Sequence, residues 1–115
     1  MQNVLNFYRK NTETIIVSIC DYQFNVGDTI YFTVKVKPDS VQDDDTAKIK
    51  ANWTIGTDVE VGENGTVELP LTATQTNIDY GAYFYDLKIV SAGNGAENTL
   101  ITGDVNILDV ATLRA

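Results

Sequence analysis

Alternation of apolar and polar side chains is the strongest pattern in the chain, and it predicts β-strands. In the clearest segment, residues 28–38, Ile30, Phe32, Val34 and Val36 fall on one face. The positions between them are mostly polar. A period of two over about ten residues is typical of a half-buried antiparallel strand.

Six further segments carry weaker forms of the same signal. They are residues 13–20, 47–53, 58–61, 66–72, 80–90 and 99–108. In the first of them both faces are apolar, so we expect it to be covered on both sides. In 66–72, Val67, Leu69 and Leu71 point inward while Pro70 points outward, which places this strand at a sheet edge because proline lacks a backbone donor.

Turn chemistry separates these segments. Gly27 permits a positive φ, and the adjacent Asp28 can bond local backbone, so both favour a turn before the clearest strand. Residues 74–79 lack alternation and predict one helical turn or a corner. The sequence Gly93-Asn94-Gly95 is a strong hairpin signal between the last two strands.

The residue composition supports an all-β fold. Val, Ile and Thr provide 36 of the 115 residues, whereas leucine occurs only 7 times. β-Branched side chains pack well on a pleated surface. About seven strands at short spacing, with no long helix, predict an immunoglobulin-like antiparallel β-sandwich. A small closed barrel is the alternative.

The length corresponds to one domain. We expect residues 13–108 to form the sandwich and residues 109–115 to form a C-terminal tail. Residues 1–12 could be a first strand, a short helix or a docking tail, and we favour a partly ordered N-terminal arm.

The charge excludes several classes of protein. The net charge is −8, and the chain contains no histidine. An acidic surface opposes nucleic acid, and no stretch approaches the roughly 20 apolar residues that span a membrane. The first residues do not resemble a secretion signal.

Without histidine there is no Ser-His-Asp triad or Cys-His dyad, so Cys20 is interpreted as a small buried hydrophobe.

Carboxylates and sequons give weak functional signals. Residues 43–45 are three aspartates that could bind calcium, but their spacing does not match a calcium loop, so a solvated loop is favoured. Asp58 and Glu60 share a strand face, which fits solvent-facing charges better than a glycosidase pair. The glycosylation patterns at Asn52 and Asn64 are interpreted as accidental. We therefore expect no catalytic residue, no metal and no cofactor.

Aromatic side chains provide the candidate contact residues. Tyr31 and Phe84 lie on outward faces, where a protein interface is favoured over a sugar-stacking platform. Phe7 and Tyr8, in the N-terminal segment, are further candidates for contacts between subunits. The inward aromatic residues are assigned to the core: Phe32, Trp53, Tyr83 and Tyr85. A tyrosine near the start of the penultimate strand often anchors a sandwich corner through its hydroxyl group.

Several short motifs occur in a characteristic order. They are Gly27-Asp28-Thr29, Lys48-Ile49-Lys50, residues 64–71, residues 80–89 and residues 98–105. This order resembles the immunoglobulin-like domains of tailed phages and prophages, especially the N-terminal domain of the baseplate upper protein. In members of that family, three motifs recur in this order: G-D-T at the start of a strand, G-x-Y-x-Y-D-L within a strand, and T-L-x-x-G in the final strand. The resemblance covers about residues 13–108.

The resemblance implies a non-enzymatic structural protein of a phage tail or baseplate. Such domains form rings or trimers, or anchor receptor-binding proteins. The implied partners are other tail or baseplate proteins and further copies of the chain, within a virion assembled in the bacterial host cytoplasm. The matching positions hold the fold and are not catalytic: Gly27, Asp28, Tyr83, Tyr85, Asp86, Leu87 and Gly103. Baseplate upper proteins usually continue beyond this domain, so this chain is expected to be a fragment or a small particle protein.

Two other functions are considered. A carbohydrate-binding or cell-surface adhesion sandwich would need a row of exposed aromatic rings on one sheet face. An enzyme is disfavoured by the missing histidine, and hydrolysis by carboxylates alone is its least improbable form.

Overall fold

A computed structural model describes residues 3–17, 24–36, 48–62 and 65–108. Within these residues the chain forms seven strands. They are β1 (Asn3–Tyr8), β2 (Glu13–Val17), β3 (Thr29–Lys35), β4 (Ile49–Thr54), β5 (Val67–Leu71), β6 (Gly81–Val90) and β7 (Glu97–Leu108). No helix among the described residues is long and apolar enough to cross a membrane.

The described strands form two sheets. The larger sheet has the order β1-β7-β6-β3-β4, and the smaller sheet pairs β2 with β5. β1 runs parallel to β7, whereas the other pairs are antiparallel. Apolar side chains of the two sheets meet in one core. The predicted all-β sandwich is therefore confirmed, although the parallel β1–β7 pair departs from the expected antiparallel arrangement, and the described strands do not close into the alternative barrel.

The core follows the alternation seen in the sequence. Ile30, Phe32 and Val34 of β3 are completely buried. The Phe32 ring lies between two other rings, with its centroid 6.4 Å from that of Phe7 and 5.7 Å from that of Tyr85. Phe32 thus links β3 to β6 and to the N-terminal strand at the centre of the core.

The smaller sheet is held to the larger one by apolar packing and by a hydrogen bond. Val67 and Leu69 of β5 are completely buried, and Pro70 between Leu69 and Leu71 is exposed, as predicted. The indole N–H of Trp53 in β4 donates to the carbonyl oxygen of Pro70 at 3.1 Å. This bond connects the two sheets.

Several sequence predictions need correction. Ile16 is 67% exposed on the outward face of β2, so the expected cover on both sides of this strand is wrong at this position. Residues 58–61 do not form a strand and make only isolated bridges at Val59 and Val61. Val36 is 50% exposed and follows the end of β3, so it does not continue the inward face.

The favoured N-terminal arm is wrong, because residues 3–8 are the strand β1. Phe7 is 3% exposed and packs in the core, so the prediction that it contacts another subunit is corrected as well. Leu5 packs beside the core, whereas Val4 and Tyr8 are exposed. Because both faces of residues 3–8 carry apolar side chains, this short segment does not show the alternation of apolar and polar residues that identifies the other strands.

The predicted turns are present. Gly27 has a φ of +99°, and the backbone N–H of Asp28 donates to the carbonyl oxygen of Asn25 at 3.2 Å. The Asp28 carboxylate, expected to bond local backbone, instead accepts a hydrogen bond from the backbone N–H of the distant Ala92 at 3.0 Å. The hairpin between β6 and β7 includes Gly95 at a φ of +70°. The segment predicted as a corner begins with a turn in which the buried Thr76 hydroxyl donates to the carbonyl oxygen of Asn11 at 2.7 Å. Cys20, the three aspartates at 43–45 and the tail at 109–115 lie outside the described residues.

Candidate interaction surface

The outer face of the larger sheet carries a groove of about 540 Å³ across β3, β4 and β6. Alternation sends the polar side chains of these strands outward because their apolar partners fill the core. Tyr31 is paired in register with Asn52 on one side and with Lys88 on the other. It is 42% exposed. Tyr31 is therefore an accessible aromatic side chain within a polar surface.

Three lysines line the same groove as this tyrosine. Lys35, Lys50 and Lys88 line the groove, together with Asp86 and Glu97. We call this surface the lysine groove. Lys88 and Glu97 form an ion pair at 3.4 Å, with side chains 40% and 60% exposed, so solvent screens most of its energy. The groove has three cations against two carboxylates, on a chain whose net charge is −8.

A second groove, of about 350 Å³, lies beside the smaller sheet. Its lining includes Asp58, Glu60 and Glu68, and none of the described residues that line it is positively charged. We call it the acidic groove. The Asp58 carboxylate also accepts a hydrogen bond from the backbone N–H of Thr54 at 2.9 Å, which holds the turn after β4. Glu60 and Glu68 are exposed.

The exposed aromatic residues predicted from the sequence are distributed over the molecule. Phe84 lies on the same outer face as Tyr31, but it is half-buried and is paired with Lys35. Since Lys35 lies four residues beyond Tyr31 in β3, the two rings are separated by about 13 Å along the strand. Tyr8 is 49% exposed and lies opposite Leu108 on the β1 side of the sheet.

The β1 side of the sheet has a mixed surface. Val4, Tyr8 and Leu108 are exposed apolar or aromatic side chains. Between them the side-chain amide of Asn106 donates to the side-chain oxygen of Asn6 at 3.1 Å. This surface is partly apolar and has no charged side chain at those five positions.

Two tyrosines of β6 have structural roles. The Tyr83 hydroxyl donates to the backbone carbonyl of Asp79 at 2.6 Å, which confirms the expected tyrosine anchor at this corner. Burial raises the pKa of Tyr83, and the nearby Asp79 carboxylate raises it further. Burial also raises the pKa of Tyr85, with a smaller contribution from Asp104. Both phenols are therefore held in the neutral form.

The candidate carboxylates do not assemble into a metal centre within the described part of the chain. There, no group of three or more Cys, Asp or Glu side chains is arranged to hold a metal ion. Asp58 and Glu60 both line the acidic groove, and Asp58 is engaged in its turn. Asn52 is exposed on β4, whereas Asn64 and the three aspartates at 43–45 fall outside the described residues.

The sequence indicates the exposed Tyr31 but not the lysines that share its groove. Lys35 and Lys50 occupy outward positions of their strands, which the alternation itself indicates. Their proximity depends on β3 lying between β4 and β6 in the sheet, and the sequence does not reveal that order. Counting the lysines on the outward face of each predicted strand would have given a partial indication of this groove.

Comparison with known proteins adds no family assignment. No family model matches the chain, and a search of curated proteins returned no significant match.

Proposed function

We propose that this chain is a non-enzymatic structural protein of a tailed phage or prophage particle. It acts in the tail or baseplate through contacts with further copies and with neighbouring tail proteins. One observation carries the proposal: the three family motifs occupy β3, β6 and β7, which are direct neighbours in the larger sheet. Motifs that are distant in the sequence thus form one continuous structural unit.

The motif residues hold the sheet together. Asp28 is buried and ties the start of β3 to the hairpin that joins β6 and β7. Tyr85 and Leu87 are in the core, and Gly103 is opposite Tyr85 in the strand pairing. These positions stabilise a scaffold, which supports a structural role for the motifs.

Strand connectivity supports the immunoglobulin-like part of the proposal. If β2 to β7 are labelled B, C, C′, E, F and G, the larger sheet contains the order G-F-C-C′ and the smaller sheet pairs B with E. Variable-type immunoglobulin domains place C′ beside the G-F-C strands in this way. β1 then adds a parallel strand next to G.

The nature of the two grooves supports binding rather than catalysis. Both are open surfaces whose charged side chains are exposed or half-exposed, where water screens electrostatic interactions. Electrostatic catalysis is effective in sites that exclude water. Charged open surfaces are well suited to steering and orienting a protein partner.

Quantitative mass spectrometry of gradient-purified particles tests this function. The particles are those produced by the phage or prophage that encodes the chain. We expect its peptides in a fixed ratio to the other tail proteins, unchanged by a further gradient step. A chain found only in the host lysate, and absent from purified particles, would contradict the proposal.

A carbohydrate-binding module is the second candidate, because Tyr31 is exposed in a groove that also contains polar side chains. Sugar recognition combines such a ring with hydrogen-bonding neighbours. The separation of Tyr31 and Phe84 provides one ring here instead of a row, which favours protein contacts. Glycan-array binding that is lost in Tyr31→Ala would support this candidate over the assembly function.

A further inference from the structure

The two grooves have opposite charge and lie on opposite sides of the molecule. The lysine groove is on the outer face of the larger sheet, and the acidic groove is beside the smaller sheet. Because the core fills the space between the sheets, their outer faces point in opposite directions. One chain thus carries two complementary surfaces that cannot contact each other within one molecule.

We propose that the lysine groove of one copy binds the acidic groove of the next copy, head to tail. This inference deepens the proposed function and rests on it, since it names the surfaces through which copies assemble. Lys50 is exposed on β4 within the lysine groove, and Glu68 is exposed within the acidic groove. Opposite charges on the two surfaces favour this orientation over alternatives.

Charge complementarity also selects against a symmetric dimer. Two lysine grooves facing each other would place the three lysines of one copy against the same three of the other, with only two carboxylates from each copy to offset them, and like charges in contact cost several kcal/mol. Two acidic grooves would repel in the same way. A head-to-tail contact leaves one free groove at each end, so it continues into a closed ring or a filament.

The size of the two surfaces limits the contact. The lysine groove covers three strands, which at about 4.8 Å spacing and seven residues of about 3.3 Å give a face of roughly 330 Å². The total buried area is then at most about 660 Å², which is typical of a weak, transient contact. We therefore expect association that depends on protein concentration and weakens as salt screens the charges.

Sedimentation velocity of the full chain tests the contact, as a concentration series at about 0.05 M and about 0.5 M salt. The wild-type protein should associate at low salt and dissociate at high salt. Lys50→Glu and Glu68→Lys should each weaken association at least about tenfold, because each places like charges across the interface. An equimolar mixture of the two variants should associate again, since each retains one intact groove.

Matched controls separate a local effect from a change in net charge. Lys10→Glu and Asp79→Lys make the same charge changes at exposed positions that do not line either groove, and should associate like the wild type. Circular dichroism and thermal unfolding establish that each variant is folded.

Two results would overturn the inference. One is a wild-type protein that remains monomeric at every concentration and salt. The other is normal association of folded Glu68→Lys. Neither result changes the outcome expected when purified particles are analysed by mass spectrometry. A monomer that is present in particles refutes this contact alone, whereas an associating chain that is absent from particles refutes the structural function.

Discussion

Truncation of Phe7 to alanine should destabilise the whole sandwich. The side chain is 3% exposed and its ring meets that of Phe32 edge-on, at 6.4 Å and 64°. A buried phenylalanine removes about 200 Å² from water, which at about 25 cal/mol per Å² corresponds to roughly 5 kcal/mol. Alanine retains part of this burial, and β1 can separate from the sheet instead of leaving an empty cavity. We therefore expect a loss of about 3 kcal/mol, at the lower end for such truncations.

Urea unfolding, followed by the fluorescence of the single Trp53, measures this loss. Trp53 is 6% exposed and lies in β4, at the opposite side of the sheet from β1, so it reports on global unfolding. The melting temperature should fall by about 12 °C, at roughly 4 °C per kcal/mol for a domain of this size. Val4→Ala is the matched control, because Val4 is on the same strand but is 46% exposed. It should cost less than about 1 kcal/mol.

A Phe7→Ala stability within about 0.5 kcal/mol of the Val4→Ala stability would refute the core assignment. If Phe7→Ala also lost self-association, Phe7 would again be a candidate for contacts between subunits. The structure predicts the reverse: a less stable protein whose folded fraction associates normally.

Three further predictions concern single sites. Trp53→Phe removes the hydrogen bond to Pro70 between the sheets and should cost about 1–2 kcal/mol, measured by circular dichroism during urea unfolding. Gly56→Ala should cost about 1–2 kcal/mol because the φ of Gly56 is +92°. The added methyl group would also meet the Val26 side chain, but that side chain is exposed and can move, so adding Val26→Ala should not restore stability. Burial raises the pKa of Tyr85, so its contribution to stability is complete below about pH 10 and is lost as the pH rises towards the raised value. Urea unfolding above pH 10 should show a shallower decline in Tyr85→Phe than in the wild type.

Local alternation was sufficient to predict much of the sandwich. Ile30, Phe32 and Val34 show the inward face of β3 directly, and the outward Pro70 correctly placed β5 at a sheet edge, since β5 pairs with β2 in a sheet of two described strands. Both features are set by residues that are close together in the sequence, so the sequence alone indicates them.

Long-range relations could not be predicted in this way. β1 pairs with β7 across about a hundred residues, and its two faces both carry apolar side chains, so its pattern did not indicate a strand. The exposure of Ile16 depends on which face of the small sheet packs against the larger one, and this is a relation between distant segments. The lysine groove arises from three strands that become neighbours only in the folded sheet.

The position of the chain in the particle is the most direct test of its structural role. Electron microscopy of purified particles labelled with gold-conjugated antibody against this chain should show gold at one fixed site of the tail, and particles lacking the gene should show none. Intact, infective particles without label, with the protein free in the surrounding lysate, would contradict the account.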